Sequence, residues 1–239
     1  MKLRFLDLLF PSLCDICKKG LDQGQSICPD CLSSLPRTEA PFCNACGEPF
    51  DGNLPDDFQC PNCHNLNFDF QFARAALRGL QPAFELVHSL KYLRRFYLAG
   101  DLARTMEEVW EADERFRNFD DDCLVIPVPL HWRRQQWRHG NQAYELAREF
   151  CLKTGLPLCN GLKRIRPTTT QTKLNRNQRL KNLRKSFEIR ASKANEIKNS
   201  NVLLIDDVFT TGATAQSCSA TLLKKGGARQ VAVLSLVRG

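Results

Sequence analysis

Residues 202–214 read VLLIDDVFTTGAT, and the order of residue types in this stretch decides the fold. Val202 to Ile205 are four consecutive aliphatic residues, the pattern of a strand buried on both faces of a parallel sheet. Asp206 and Asp207 follow at its C-terminal end, the edge at which open parallel sheets bind ligands. Thr210, Thr211, Gly212, Ala213 and Thr214 then lead into a helix expected over Thr214–Lys225. Backbone N–H groups of such a loop and helix N-terminus make a cradle for a phosphate dianion. Gly212 lets the backbone approach closely, and the three threonine hydroxyls add donors. The two carboxylates are suited to accept hydrogen bonds from vicinal ribose hydroxyls. Other strand-plus-acid readings fail: the chain has no G-x4-G-K-[ST] loop and no G-x-G-x-x-G turn.

Outward from this stretch, strands and helices alternate. Ala73–Arg78, Cys123–Val128, Leu162–Ile165 and Gln230–Val237 read as further strands. Ala83–Arg95, Leu98–Arg117 and Asn141–Thr154 read as helices, the last closed by Gly155 and Pro157. The expected class is α/β, a mostly parallel sheet flanked by helices. A polar, basic loop spans Arg166 to about Lys185, with no acidic residue anywhere between Phe150 and Phe187. Such a one-signed run wants a polyanion, and its length suits an active-site lid.

Residues 1–68 differ in composition from residues 69–239, being rich in Cys, Pro, Gly and Asn. They carry four C-x2-C pairs: Cys14 and Cys17, Cys28 and Cys31, Cys43 and Cys46, Cys60 and Cys63. Eight thiolates suffice for two tetrahedral four-sulfur sites, with Zn2+ favoured over an iron–sulfur cluster. Sequential pairing would give two ribbons in tandem; a cross-braced pairing fits the spacing as well. His64 reads as a surface residue. So small a segment cannot bury enough apolar area to fold alone, so metal must supply its stability. Its purpose is either structural or the docking of nucleic acid or protein.

The chain has 239 residues, 12 cysteines and a formal net charge of +8. The N-terminal stretch MKLRFLDLLF lacks a continuous apolar core and a cleavage site, and reads as a short amphipathic helix rather than a signal peptide. No run is long enough to span a membrane. Cys123, Cys151, Cys159 and Cys218 read as small buried hydrophobes. Cysteine usage of this kind places the expected location in a reducing cytoplasm.

The 202–214 stretch resembles the signature with which type I phosphoribosyltransferases bind 5-phosphoribosyl-1-pyrophosphate (PRPP). The series of C-x2-C pairs, then IPVPLHWRRQQWRHGNQAYELAR, RIRPTTTQTKLNRNQRLKNLRKSF and that signature is similar in order to the ComF family of bacterial competence and DNA-utilisation proteins. It departs at His139–Gln142, where family members more often place an aromatic between Gly and Asn. The resemblance implies a double zinc-ribbon module over 1–68 and a phosphoribosyltransferase-like domain over 69–239. It implies ribose-binding, catalytic acids at Asp206 and Asp207, and a 5′-phosphate loop at Thr210–Thr214. Arg133, Arg134, Arg138 and Lys91 become pyrophosphate contacts, and Arg166, Lys173, Arg176 and Arg179 belong to the closing lid. Implied cofactors are Mg2+ with PRPP and two structural Zn2+ ions. Single-stranded DNA and DNA-uptake or recombination proteins are the implied partners, with Trp132, Trp137, Tyr92 and Tyr97 available for stacking. Three readings stay open: a phosphoribosyl transferase, of nucleobase-salvage or nucleic-acid type; a non-catalytic DNA-binding adaptor; and a PRPP-sensing regulator.

Overall fold

The computed structural model describes residues 12–166 and 186–239, apart from residues 22, 23, 56, 65, 118, 120 and 121. In chain order its elements are α1 (Pro29–Ser33), β1 (Ala73–Arg78), α2 (Ala83–Tyr92), α3 (Ala99–Ala112), α4 (Glu114–Arg117), β2 (Cys123–Pro127), α5 (Trp132–Arg138), α6 (Gln142–Thr154), β3 (Leu162–Arg164), β4 (Phe187–Ile189), α7 (Ala194–Ile197), β5 (Asn201–Phe209), α8 (Ala213–Lys224) and β6 (Gln230–Arg238). The main sheet has the order β1-β6-β5-β2 and is parallel throughout. β3 and β4 pair antiparallel beside it as a separate two-stranded piece.

Side chains alternate across a strand, so each strand feeds two cores. Leu203, Ile205, Ala232 and Leu234 join one core with residues of α2, α3 and α6. Val202, Leu204, Val231 and Val233 join the other, against Ala215, Cys218 and Leu222 of α8. The expected sandwich of helices on both faces is therefore present. The two halves of the cysteine region divide in the same way. Cys14 and Cys28 pack in the first core, and Cys43, Cys46, Cys60 and Cys63 in the second.

Between them the chain runs along the outer edge of β1. Thr38 N donates to Ala76 O at 3.0 Å, and Arg78 N to Pro36 O at 2.8 Å. Ala73 N donates to Ala45 O at 2.9 Å, so the second cysteine knuckle also pairs with this strand. Gly47 has φ of 67°, and a Cβ there would lie 2.7 Å from Ala73 O, so the knuckle docks at a distance only glycine permits. The ribbons thus clasp the sheet across an edge strand that would otherwise expose unpaired backbone groups.

Four expectations need correction. The helix expected over Leu98–Arg117 breaks at Asp113, whose extended backbone lets its carboxylate reach Arg74 at 2.8 Å and Arg115. The helix begun at Ala83 ends at Tyr92, and Arg94 takes a left-handed φ of 58°. β5 continues to Phe209 because β6 accompanies it, with Asp206 paired to Ser235 and Phe209 to Arg238. The stretch after β2 also holds α5, a helix among the elements that the sequence pattern does not announce. His131 caps it, its Nδ1 accepting from Arg133 N at 3.4 Å. The N-terminal amphipathic helix expected over residues 1–10 lies outside the described residues.

Candidate functional site

β2 ends at Pro127, opposite Ile205, whereas β5 and β6 run on together. From Asp206 onward β5 pairs with β6 on one side, and β2 no longer accompanies it on the other. Proline at 127 and 129 explains the stop, since neither can donate to a ladder. Asn141 holds the far wall: its side chain donates to Val128 O at 3.0 Å and accepts from Ala143 N at 3.2 Å, capping α6.

Adjacent strand residues point to opposite faces, and the two acids meet different partners. Asp207 Oδ1 accepts from Lys91 Nζ of α2 at 2.9 Å. Asp206 Oδ1 accepts the Asp207 amide at 2.9 Å, and its charge is felt by Arg164 and Cys218 on the other face. Burial and the neighbouring Asp207 charge push the Asp206 carboxyl up to about 7, against the opposing pull of Lys91 and Arg164. It therefore changes charge near neutrality.

β5 passes into α8 through Thr210, Thr211 and Gly212. Gly212 has φ of 75° and sits where no side chain caps the helix, so the first-turn N–H groups of α8 are not consumed by a cap. Thr210 is exposed, Thr211 and Thr214 half-buried, and Ala213 buried. Ala213 N makes a long contact to Thr211 Oγ1 at 3.5 Å, and Arg238 Nη1 donates to Thr210 O at 3.0 Å. The loop and helix start present donors and little else, which is what an anion requires.

Cations gather on the wall made by α5 and β3. Arg134 is close enough to bear on Arg164, and both bear on His131 with Arg133. Burial first, and then these guanidinium groups, hold the His131 imidazole below its ordinary value. Arg164, half-buried with its guanidinium 5.4 Å from the Phe187 ring centre, is a site residue that the sequence pattern does not single out. β3 reads Leu-Lys-Arg, so no apolar context sets this charge apart in the sequence. Arg138 turns away toward α2, its guanidinium 5.0 Å from the Tyr92 ring and 3.4 Å from the Tyr92 hydroxyl. Lys91, expected at the pyrophosphate end, instead pairs with the acid. Arg166 is exposed just beyond β3, while Lys173, Arg176 and Arg179 lie outside the described residues.

The eight cysteines form two clusters, Cys14/Cys17/Cys28/Cys31 and Cys43/Cys46/Cys60/Cys63, each with its sulfurs within 4.8 Å of one another. Pairing is therefore sequential and not cross-braced. Cys17 and Cys28 sulfurs lie 3.7 Å apart, and those of Cys46 and Cys60 3.8 Å. A four-sulfur tetrahedron with Zn–S bonds of about 2.3 Å has edges of about 3.8 Å, so both donor sets fit Zn2+. Amides point at the sulfurs, Cys28 N at Cys14 Sγ and Cys60 N at Cys43 Sγ, each at 3.3 Å. Hydrogen bonds from Cys46 and Cys63 hold the Cys43 thiol far below its ordinary value, while the same contact to Cys43 pushes Cys63 far up. Crowded thiols cannot all ionise together unless a divalent ion neutralises them. His64 is exposed and outside the cluster, as expected.

Fold and site together define a parallel α/β sheet clasped by a double zinc ribbon with two four-cysteine sites. The double zinc ribbon domain family matches residues 5–65. Competence protein F of Haemophilus influenzae is 30% identical over 94% of this chain and 96% of its own length. The chain belongs to this competence protein F, or ComF, family. The DNA utilization protein YhgH of Escherichia coli K12 is also 30% identical, over 92% of this chain and 95% of that one. Competence protein ComFC of Bacillus subtilis is 28% identical, over 91% and 86%. Among solved structures, a hypoxanthine phosphoribosyltransferase from Staphylococcus aureus overlaps at TM-score 0.33 and 17% identity, over 59% of this chain and 64% of that one. Among the described residues no helix is long and apolar enough to cross a membrane.

Proposed function

We propose that the chain binds PRPP in the cleft beyond β2 and transfers or releases its phosphoribosyl group in the service of DNA uptake or utilisation in the cytoplasm. The observation that carries this reading is the uncapped start of α8 beside two acids at the one-sided end of β5. The loop from Thr210 to Thr214 receives the 5′-phosphate. Asp206 and Asp207 take the ribose hydroxyls, and Arg134 and Arg164 face the pyrophosphate. Loss of pyrophosphate from C1 builds positive charge on the ribose ring, which the carboxylates offset. Mg2+ suits the oxygen donors of this cleft, and the Lys91 ammonium already seated on Asp207 marks a place for positive charge. When bound, the ion supplies neutralisation of the pyrophosphate; Asp206 and Asp207 are the residues to hold it.

The DNA role draws on the relatives' names and on the rim of the cleft. Trp132 and Trp137 are exposed on α5, Arg133 lies 5.2 Å from the Trp132 ring, and Tyr92 meets Trp137 at 5.9 Å. Exposed aromatic faces interleaved with guanidinium groups suit unstacked bases and a phosphate backbone. Tyr97 is exposed too, though its hydroxyl is tied to Asp15 of the first ribbon at 2.8 Å.

Calorimetric titration with PRPP, with and without Mg2+, then with a single-stranded oligonucleotide, tests both parts. Saturable PRPP binding that needs Mg2+ and is lost in Asp206→Ala/Asp207→Ala supports the cleft reading, and no binding sinks it. Pyrophosphate release with bases or oligonucleotides separates a transferase from a non-catalytic adaptor.

A further inference from the structure

Arg238 closes β6 as its one charged residue, yet it is only 9% exposed. Its guanidinium stands between two centres far apart in sequence. Nη1 donates to Phe209 O at 2.9 Å and Thr210 O at 3.0 Å, the carbonyls at which β5 becomes the phosphate loop, and also to Gly239 O. Nη2 points at Cys46 Sγ of the second four-cysteine cluster at 3.9 Å and pairs with Glu48, two residues further along the same knuckle. The guanidinium carbon lies 5.4 Å from the centre of the Phe209 ring. That ring meets Phe70 edge-on at 6.0 Å, and Phe70 stacks on Phe68 at 4.5 Å. Phe209 and Phe68 in turn wall in the Cα of Gly212, at 2.9 Å and 3.6 Å from where a Cβ would stand. Knuckle, guanidinium, aromatic wall and loop form one continuous packed unit.

We infer that Arg238 is a positioning residue through which the second four-cysteine site sets the shape of the phosphate loop. Four thiolates around one divalent ion make a buried dianionic centre, and a guanidinium N–H aimed at one sulfur is its charge-assisted partner. With the metal removed, the knuckle that carries Cys46 and Glu48 is no longer held in place, and the guanidinium loses its fixed anchor on that side. The other anchor is the Phe209–Thr210 backbone, which then no longer holds the loop amides toward the cleft. Metal at Cys43/Cys46/Cys60/Cys63 thereby favours a loop shaped for a phosphate dianion. The ligand identity rests on the PRPP reading above; the mechanical coupling does not.

Three readouts on the full-length protein test this. Arg238→Gln weakens PRPP binding about tenfold, the size of a lost charge-assisted contact, with Arg238→Lys recovering part of the loss. Amide hydrogen exchange at Thr211–Ala215 speeds up in Arg238→Gln and, well below the melting temperature of the stripped protein, to at least the same extent in wild type stripped of metal. In cobalt-substituted protein the thiolate-to-metal charge-transfer bands move in Arg238→Gln. Exchange at those amides that responds neither to Arg238→Gln nor to metal removal overturns the proposal. So does a Cys46→Ser effect on PRPP affinity that simply adds to that of Arg238→Gln, since coupled residues give non-additive losses. If wild type binds neither PRPP nor inorganic phosphate, the PRPP reading fails while exchange and cobalt spectra still decide the coupling.

Discussion

Asp206 concentrates the chemistry of the cleft in one titration. Its ordinary value is 3.8, and desolvation together with Asp207 raises it to about 7 in the folded chain. A raised carboxyl means the folded state holds a proton that the unfolded state has released. Stability from this group is therefore complete below about pH 4 and is lost as pH rises toward 7. Asp206→Asn removes that loss, so ligand-free protein at pH 8 gains about 1–2 kcal/mol by denaturant melts, a figure reduced for the solvent that reaches this half-buried group. Binding has the opposite sign, because accepting ribose hydroxyls or a cation needs the carboxylate. Affinity for PRPP with Mg2+ should rise through pH 7 with release of up to one proton, detectable as buffer-dependent binding heat. A pH-independent affinity would remove Asp206 from the site. Gly212 offers a second residue-scale test. Alanine there must hold φ of 75° and place its Cβ 2.9 Å from the Phe209 ring. The backbone alone costs about 1–2 kcal/mol, and the expected outcome is a folded protein with PRPP binding reduced at least tenfold.

At the scale of elements, the cleft arises from strands of unequal length. β5 and β6 are carried on past Ile205 by their mutual ladder, while Pro127 stops β2. The aliphatic run and its acids were legible as a buried strand because four apolar residues have no other period. The extra residues to Phe209 were not, since pairing with β6 is a tertiary fact that no local pattern carries. α5 escaped notice for a different reason. Its sequence WRRQQWR has no apolar stripe, and none of its residues is buried, so a helix exposed all round leaves no periodic signal. Arg74 and Arg238 share a weaker signature, each a buried charge on a strand made largely of apolar residues, whereas Arg164 lies on the short, half-exposed β3. Only the assembled fold shows their partners. The exposure of α5 has a functional consequence if its rim holds unstacked bases. Trp137→Ala should cost single-stranded DNA binding about 1–3 kcal/mol and leave PRPP affinity within twofold. The residual affinity should still fall steeply with salt. Equal DNA affinity in the variant, measured by fluorescence anisotropy, would move the DNA surface elsewhere.

For the whole molecule, the ribbons are part of the core rather than an appendage. Composition separates residues 1–68 from the rest, and the eight thiolates announce two metal sites; neither tells where the sites dock. In the fold, one four-cysteine cluster packs in each core and the chain between them seals β1. Asp101 of α3, 5% exposed, accepts from Ser26 N at 2.8 Å, Ser26 Oγ at 2.7 Å and Ile27 N at 3.0 Å, fixing the first ribbon to the helical layer. Arg74, buried over the Phe42 ring at 4.2 Å and paired with Asp113, fixes the second to β1 and α4. Removing the metal should therefore not melt the first 68 residues alone. It leaves two buried charged groups facing loosened ribbons, bares the β1 edge and opens both cores, so sheet and ribbons should unfold together. Chelation under native conditions is expected to convert a single calorimetric transition into one at markedly lower temperature, followed by aggregation through the exposed edge. A chelated protein that keeps the melting temperature of its sheet and loses only an early, small transition would show that the ribbons fold and fail on their own.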